Sequence, residues 1–243
     1  GLPANITDRF ILSASPLVAA LVSLLQIPVN NYRKKELFRA LLSPYMVFKK
    51  PDGKQIDANT LYETANNLKI SFGKESWTEK IERKLHFLEK RKNEDDDKNV
   101  KKEIFKLKEA KNDFEFIVSL LSPFEKKLSS REFEIEITRL IAFLEVPSRI
   151  IQIKNDTGAR FLMEKDLRAL SSFLAILKNM NNLYELKSET ENLYSLKEYM
   201  DDLKTAIANT RYNVKQKNGY GILVTAAEEI RGLSFDYIFL TGM

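Results

Sequence analysis

Between Pro16 and Ile207 apolar side chains return at every third or fourth position along most of the chain, and little is set aside to interrupt them. The 243 residues include only 8 Gly and 7 Pro, about half the share of an ordinary globular chain. Turns are therefore scarce, and the chain must be built mainly from long helices. The same composition removes several kinds of chemistry. There is no Cys and only 1 His, so thiol catalysis, disulfides, thiolate zinc sites, iron–sulfur clusters and multi-histidine metal centres are all excluded.

Helix boundaries can be read from local signals. Ser15-Pro16 gives an N-cap followed by proline at the first helical position, and Leu17, Leu21, Leu24 and Leu25 form a stripe up to a predicted stop at Pro28. A second helix is predicted from about Tyr32 to Leu42, closed by Ser43-Pro44. Tyr45 to Asn59, with Pro51-Asp52-Gly53, reads as a loop. Two long amphipathic helices follow, carrying Trp77, Ile81, Leu85 and Leu88, then Ile104, Leu107, Phe114, Ile117 and Leu121. The acidic run Asn93 to Asp97 between them predicts the tip of an antiparallel hairpin. Basic and acidic residues nearly cancel between Lys74 and Asp113, which favours a solvated, charge-laced hairpin over a basic groove.

Pro123 interrupts the second of these helices. Ser129 to Glu132 and Ser195 to Glu198 are capping boxes that open two further helices, the first running through Phe133, Ile137, Leu140, Ile141 and Leu144 to Pro147, the second carrying Tyr199, Leu203 and Ile207. Between them a helix near Ala159 to Met180 carries Leu167, Leu170, Phe173, Leu174 and Leu177. No fixed period relates these helices, so a solenoid is not expected.

The character of the sequence changes at both ends. Gly1 to Ser13 reads as a short extended segment, while Ile222 to Thr225 and Tyr237 to Leu240 are β-branched and aromatic runs of the kind found in strands buried on both faces. Two such strands do not make a stable sheet alone. The expectation is that the N-terminal segment, residues outside this stretch, or both complete the sheet, and that the sequence is an excerpt of a longer protein.

The segment Val224 to Gly242, with Arg231-Gly232-Leu233-Ser234-Phe235 at its centre, resembles motif V of UvrD/Rep-like superfamily-one helicases. In that family a strand leads into His-x-Ala-Lys-Gly-Leu-Glu-Phe and then a second strand. Here Glu228 replaces the histidine, Arg231 the lysine and Ser234 the glutamate, which speaks against a fully competent ATP site. The Glu-x-x-Arg-Gly-Leu-x-Phe-Asp form, standing as Glu228, Arg231, Gly232, Leu233, Phe235 and Asp236, is similar to the degenerate motor lobe of AddB/RexB-type helicase–nuclease subunits. At the other end Gly1 to Ile6, followed by Ser15-Pro16-Leu17-Val18, is similar to the segment leading from the second motor lobe of these helicases into its inserted helical subdomain. Lys35 to Tyr45, ending in Leu42-Ser43-Pro44, and the helix headed by Trp77 fit AddB-like chains as well.

The resemblance implies a mainly α chain: a multi-helix domain, residues 14–218, inserted in a small incomplete α/β, RecA-like portion formed by residues 1–13 and 219–243. It implies a non-catalytic piece of a helicase/exonuclease subunit for DNA double-strand break processing and recombinational repair. Arg231, Gly232, Thr225 and Glu228 are then the nucleic-acid-binding candidates, with no catalytic residue and no metal ligand. A glycine lets backbone approach a phosphate, and an arginine adds a bidentate contact that carries no sequence readout. No Gly-x-x-x-x-Gly-Lys-Ser/Thr loop is present, so this chain needs no cofactor of its own, whereas an active parent would use ATP and magnesium. The partners implied are single-stranded or duplex DNA and a second helicase–nuclease subunit. Lys+Arg number 39 against 34 Asp+Glu, a net charge of +5, which suits an anionic partner and equally an ordinary protein. No apolar run approaches the roughly 18 residues that span a bilayer, and there is no signal-peptide pattern, so the chain is expected to be soluble and cytoplasmic.

A competing reading is a free-standing helical protein-interaction scaffold without a nucleic-acid role, in which the end strands simply pair with each other; Arg231-Gly232 can likewise be read as a surface turn. Single residues divide the same way. His86 falls one residue past the Leu85 seam, Trp77 and the other aromatics sit at core spacing, and pairs such as Asp201-Asp202 or Glu134 and Glu136 read as solvated charge.

Overall fold

The structure is a computed structural model that describes residues 4–6, 9–92, 98–157, 160–186, 192–213, 222–224, 234 and 237–239. It is mainly helical. Two short strands, β1 (Ala4–Ile6) and β2 (Arg9–Ile11), precede nine α-helices among the described residues: α1 (Pro16–Val29), α2 (Lys34–Leu41), α3 (Ala58–Asn67), α4 (Lys74–Lys92), α5 (Lys98–Leu121), α6 (Ser130–Phe143), α7 (Val146–Thr157), α8 (Arg160–Leu186) and α9 (Leu196–Asn209). Strands β3 (Arg211–Asn213) and β4 (Ile222–Val224) follow.

Segments from opposite ends of the chain meet. β1 pairs with β4 in parallel, Ala4 opposite Ile222 and Ile6 opposite Val224. β2 pairs with β3 antiparallel, Phe10 opposite Tyr212. A parallel pair needs a crossover connection, and here the crossover between β1 and β4 contains all nine helices. The β2·β3 ribbon joins the helices through Leu12, which is fully buried and whose N–H bonds Thr210 O at 3.0 Å, and through Tyr212, also buried.

Local chemistry explains the helix ends. Ser15 accepts from Val18 N–H at the start of α1, and Ser129 and Ser195 form complete capping boxes with Glu132 and Glu198. α1 runs one residue beyond Pro28, whose carbonyl accepts from Asn31 N–H while Ile27 O accepts from Tyr32 N–H. That is a Schellman closure with Asn31 at φ 48° in the place glycine usually takes. α3 closes in the same way, with Lys69 at φ 52° and Ile70 N–H bonded to Ala65 O.

One continuous core runs through the body. Trp77 is fully buried, stacks on Phe114 at 4.8 Å, and donates from Nε1 to Tyr32 O at 3.0 Å. At the far end Phe133 stacks on Tyr199 at 4.1 Å, and the Tyr199 hydroxyl donates to Leu128 O at 3.0 Å. Most polar groups drawn inside are paired, as burial demands, the exception among the described residues being Glu36 Oε2. Tyr32 donates to Glu125 at 2.6 Å, and Tyr45 to Asp166 at 3.1 Å.

Several sequence expectations need correction. Residues 58–67 form α3, where the sequence shows little but a loop and its sequel. Pro147 does not end α6; it is the second residue of α7, a first-turn position in which its missing N–H costs nothing. α8 continues to Leu186, past the expected end at Met180. Tyr237, Ile238 and Phe239 lie in no strand and are exposed. Strand propensity is realised only against a partner ladder, and the described ladder of β4 is with β1. The acidic run 93–97 lies outside the described residues.

Candidate nucleic-acid interface

The four residues nominated by the sequence, Thr225, Glu228, Arg231 and Gly232, lie outside the described residues. The strand leading into them is described. β4 ends at Val224 beside Ile6, so the two parallel strands hand the chain on at the same end. In open parallel sheets the carboxyl ends of strands are where ligands bind. Ile222 and Val224, two residues apart on one face, are each about half exposed, 52% and 50%. Parallel strands are ordinarily covered on both faces.

Trp77 is core and offers no free ring face. His86 is exposed. Glu136 pairs with Arg139 at 2.6 Å, and Asp202 accepts from Tyr184 at 2.5 Å. Among the described residues no group of three or more His, Asp or Glu side chains could hold a metal ion, and no helix is long and apolar enough to cross a membrane. α4 and α5 form the antiparallel hairpin, laced by Lys111–Glu82 at 2.7 Å, Lys108–Glu89 at 2.8 Å and Lys84–Glu103 at 3.2 Å.

One feature of the body was not legible as a site. α3 lies against the hairpin and leaves a groove of about 580 Å³, with Lys84, Lys102, Lys106, Glu63, Thr60 and Asn67 among its walls. Its outer wall is held by a buried ion pair. Asp113 on α5 is 2% exposed and accepts from Lys50 Nζ at 2.7 Å and from Asp57 N–H at 3.1 Å. The Asp113 hydrogen bond holds the Lys50 ammonium above its ordinary pKa, against the opposing effect of burial. Asp57 in turn caps α3, accepting from Thr60 Oγ1 at 2.7 Å and from the N–H groups of Asn59 and Thr60. These bonds hold its carboxyl below the usual range.

The sequence signal for this groove is the order of charges on α4, not their sum. Lys80, Lys84, Phe87 and Arg91 recur at four, three and four residues and so share one flank of the helix, while Arg83 and Lys90 lie on its outward face between the two flanks. Glu75, Glu79, Glu82, His86 and Glu89 repeat at the same spacing on the opposite flank. The acidic flank pairs with lysines of α5, while Lys84 on the basic flank lines the groove. Compared with known proteins, the chain matches no family model and no curated protein.

Proposed function

We propose that this chain is the helical insertion and adjoining strand pair of the second motor lobe in an AddB/UvrD-like helicase–nuclease subunit, one that processes DNA double-strand breaks for recombinational repair. The observation that carries the reading is the parallel pairing of β1 with β4. It makes the whole helical body an excursion between two neighbouring strands, the arrangement that the resemblance at the two ends of the sequence implies. The half-open apolar face of Ile222 and Val224 gives further support, because an α/β layer could cover it.

In this reading the chain does mechanical work. The helical body docks against DNA or a second subunit, and the Arg231-Gly232 loop touches the sugar–phosphate backbone of the translocating strand, with Thr225 and Glu228 beside it. The chain itself performs no catalysis. ATP and magnesium would belong to an active parent, the finer alternative being a parent whose motor is inactivated.

The test is fluorescence anisotropy with labelled DNA over a salt series. Arg231→Ala should weaken binding to unrelated sequences equally and lower the salt slope by about 1. Absence of any salt-dependent DNA affinity would refute the reading and leave the interaction scaffold.

A further inference from the structure

We infer that the groove between α3 and the α4/α5 hairpin, with the exposed Phe87 ring beside its lining residue Lys84, binds a single strand of nucleic acid through the strand's phosphates and one stacked base. This goes beyond the helicase reading and does not depend on it, because it uses neither the strands nor the Arg231 loop.

Charge complementarity is the first argument. Lys84, Lys102 and Lys106 line the groove, and Arg91 continues the Lys84 flank of α4 toward the hairpin end, with Arg83 and Lys90 on the helix's outward face. Glu103 and Glu63 engage Lys84 and Lys106 at 3.2 and 3.4 Å. Among the described residues Arg83, Lys90, Arg91 and Lys102 are exposed and form no ion pair. Arg91 and Lys102 near the groove, without counter-charges among the described residues, favour an anionic strand that meets them together with Lys84 and Lys106.

The exposed ring is the second argument. Phe87 is 58% exposed, at a position where a surface helix ordinarily carries a polar residue. The Lys84 ammonium lies 5.7 Å from its ring centroid, and Arg91 stands one turn along. An aromatic face set between cations is the combination that holds single-stranded nucleic acid, the bases stacking and the phosphates pairing. An acidic peptide would use the cations and leave the ring idle. A duplex keeps its base faces stacked internally, so it would not use the ring either.

The groove's size and polarity are consistent with this occupant. A volume of about 580 Å³ falls within the range of ligand clefts. Thr60 and Asn67 supply hydrogen-bonding groups along one wall, and Leu68 and Leu107 form apolar patches against which a sugar can rest. No base-specific recognition follows from these residues.

The experiment is anisotropy with a labelled oligothymidylate of about 12 nucleotides, a site size within the range for single-strand binders, using the whole 243-residue chain. Phe87→Ala should weaken binding at least about fivefold with the salt slope unchanged. The double change Arg91→Glu/Lys102→Glu should weaken it at least about tenfold and lower the slope by about 1.4, since each single-strand phosphate contact contributes about 0.7. Glu79→Gln, on the opposite flank, should bind as the parent chain does. All four positions are exposed, and circular dichroism checks that each variant stays folded. The inference is overturned if the parent chain does not bind, if Phe87→Ala has no effect, or if a glutamate-rich peptide or a duplex competes as well as the single strand. If only Arg231→Ala abolishes binding, the groove is refuted and the helicase reading stands. If only the groove variants do, the groove stands and the Arg231 loop has no part in binding.

Discussion

Lys50→Met removes one partner of the most deeply buried ion pair described in the structure. The Lys50 side chain is 11% exposed and that of Asp113 3%, with 2.7 Å between the charges. Without Lys50, which also lies 3.6 Å from Glu109, the buried carboxylate keeps the Asp57 N–H at 3.1 Å as its remaining donor. Breaking a buried pair from one side costs about 3–5 kcal/mol, and the surviving hydrogen bond places this case near ~3 kcal/mol. For a chain of this length that corresponds to a fall of about 6–12 °C in Tm. The assay is urea unfolding followed by far-ultraviolet circular dichroism, with hydrogen exchange at the α3 amides as a local readout. α3 is held to α5 through the Asp57 N–H on the same carboxylate, so with that carboxylate unbalanced its amides should exchange faster before the rest of the body opens. The double variant Lys50→Met/Asp113→Asn removes the buried charge while keeping an acceptor for Asp57 N–H, and should recover at least half of the loss. A single-variant cost below about 1 kcal/mol would refute the reasoning, as would a double variant no more stable than the single.

Two further outcomes follow from the packing and the caps. Trp77→Ala removes the ring stacked on Phe114 and leaves the Tyr32 carbonyl without its donor, and should cost about 3–5 kcal/mol in urea unfolding; a cost under about 1 would contradict its placement at the centre of the core. The Glu132 and Glu198 carboxyls are held below their ordinary range by hydrogen bonds from Ser129 and Ser195, backbone first for Glu132 and side chain first for Glu198. A lowered folded pKa means the stabilisation is complete above the unfolded value, about 4.3, and is lost as pH falls through the folded values. The urea midpoint should therefore drop as pH falls below about 4.3, and Glu132→Gln/Glu198→Gln should flatten that part of the profile; an unchanged profile would contradict the capping assignment.

What the sequence made legible depended on how each signal is carried. The capping boxes at Ser129 and Ser195 are complete motifs within four residues, and both helices begin where the motifs put them. α3 was missed because it commits only Leu61, Thr64 and Ala65 to the interior, too little for a periodic stripe, although Asp57 was a readable cap. α7 was missed because Pro147 stops a helix or starts one, and only the reversal of the backbone at Glu145, φ 55°, decides between them. The pairing of β1 with β4 spans more than two hundred residues, and no local pattern specifies it. The groove escaped notice for another reason. A tally of charges over Lys74 to Asp113 comes out nearly neutral, yet on α4 the two signs occupy opposite flanks, and a sum discards that order.

The meeting of β1 and β4 carries the motor-lobe reading most directly, and a disulfide trap can test it. The chain has no cysteine, so Asn5→Cys/Leu223→Cys introduces the only thiols, at positions that are register partners in the parallel pair. Adjacent paired strands bring such residues within the roughly 4.4–6.8 Å between Cα atoms that a disulfide tolerates. Under mild oxidation this pair should close into an intramolecular loop with a reducible shift in gel mobility, while Ile11→Cys/Leu223→Cys, which links β4 to a strand of the other sheet, should stay open. If both pairs close equally, or if Asn5→Cys/Leu223→Cys forms only intermolecular dimers, the two ends do not share a layer and the motor-lobe reading fails.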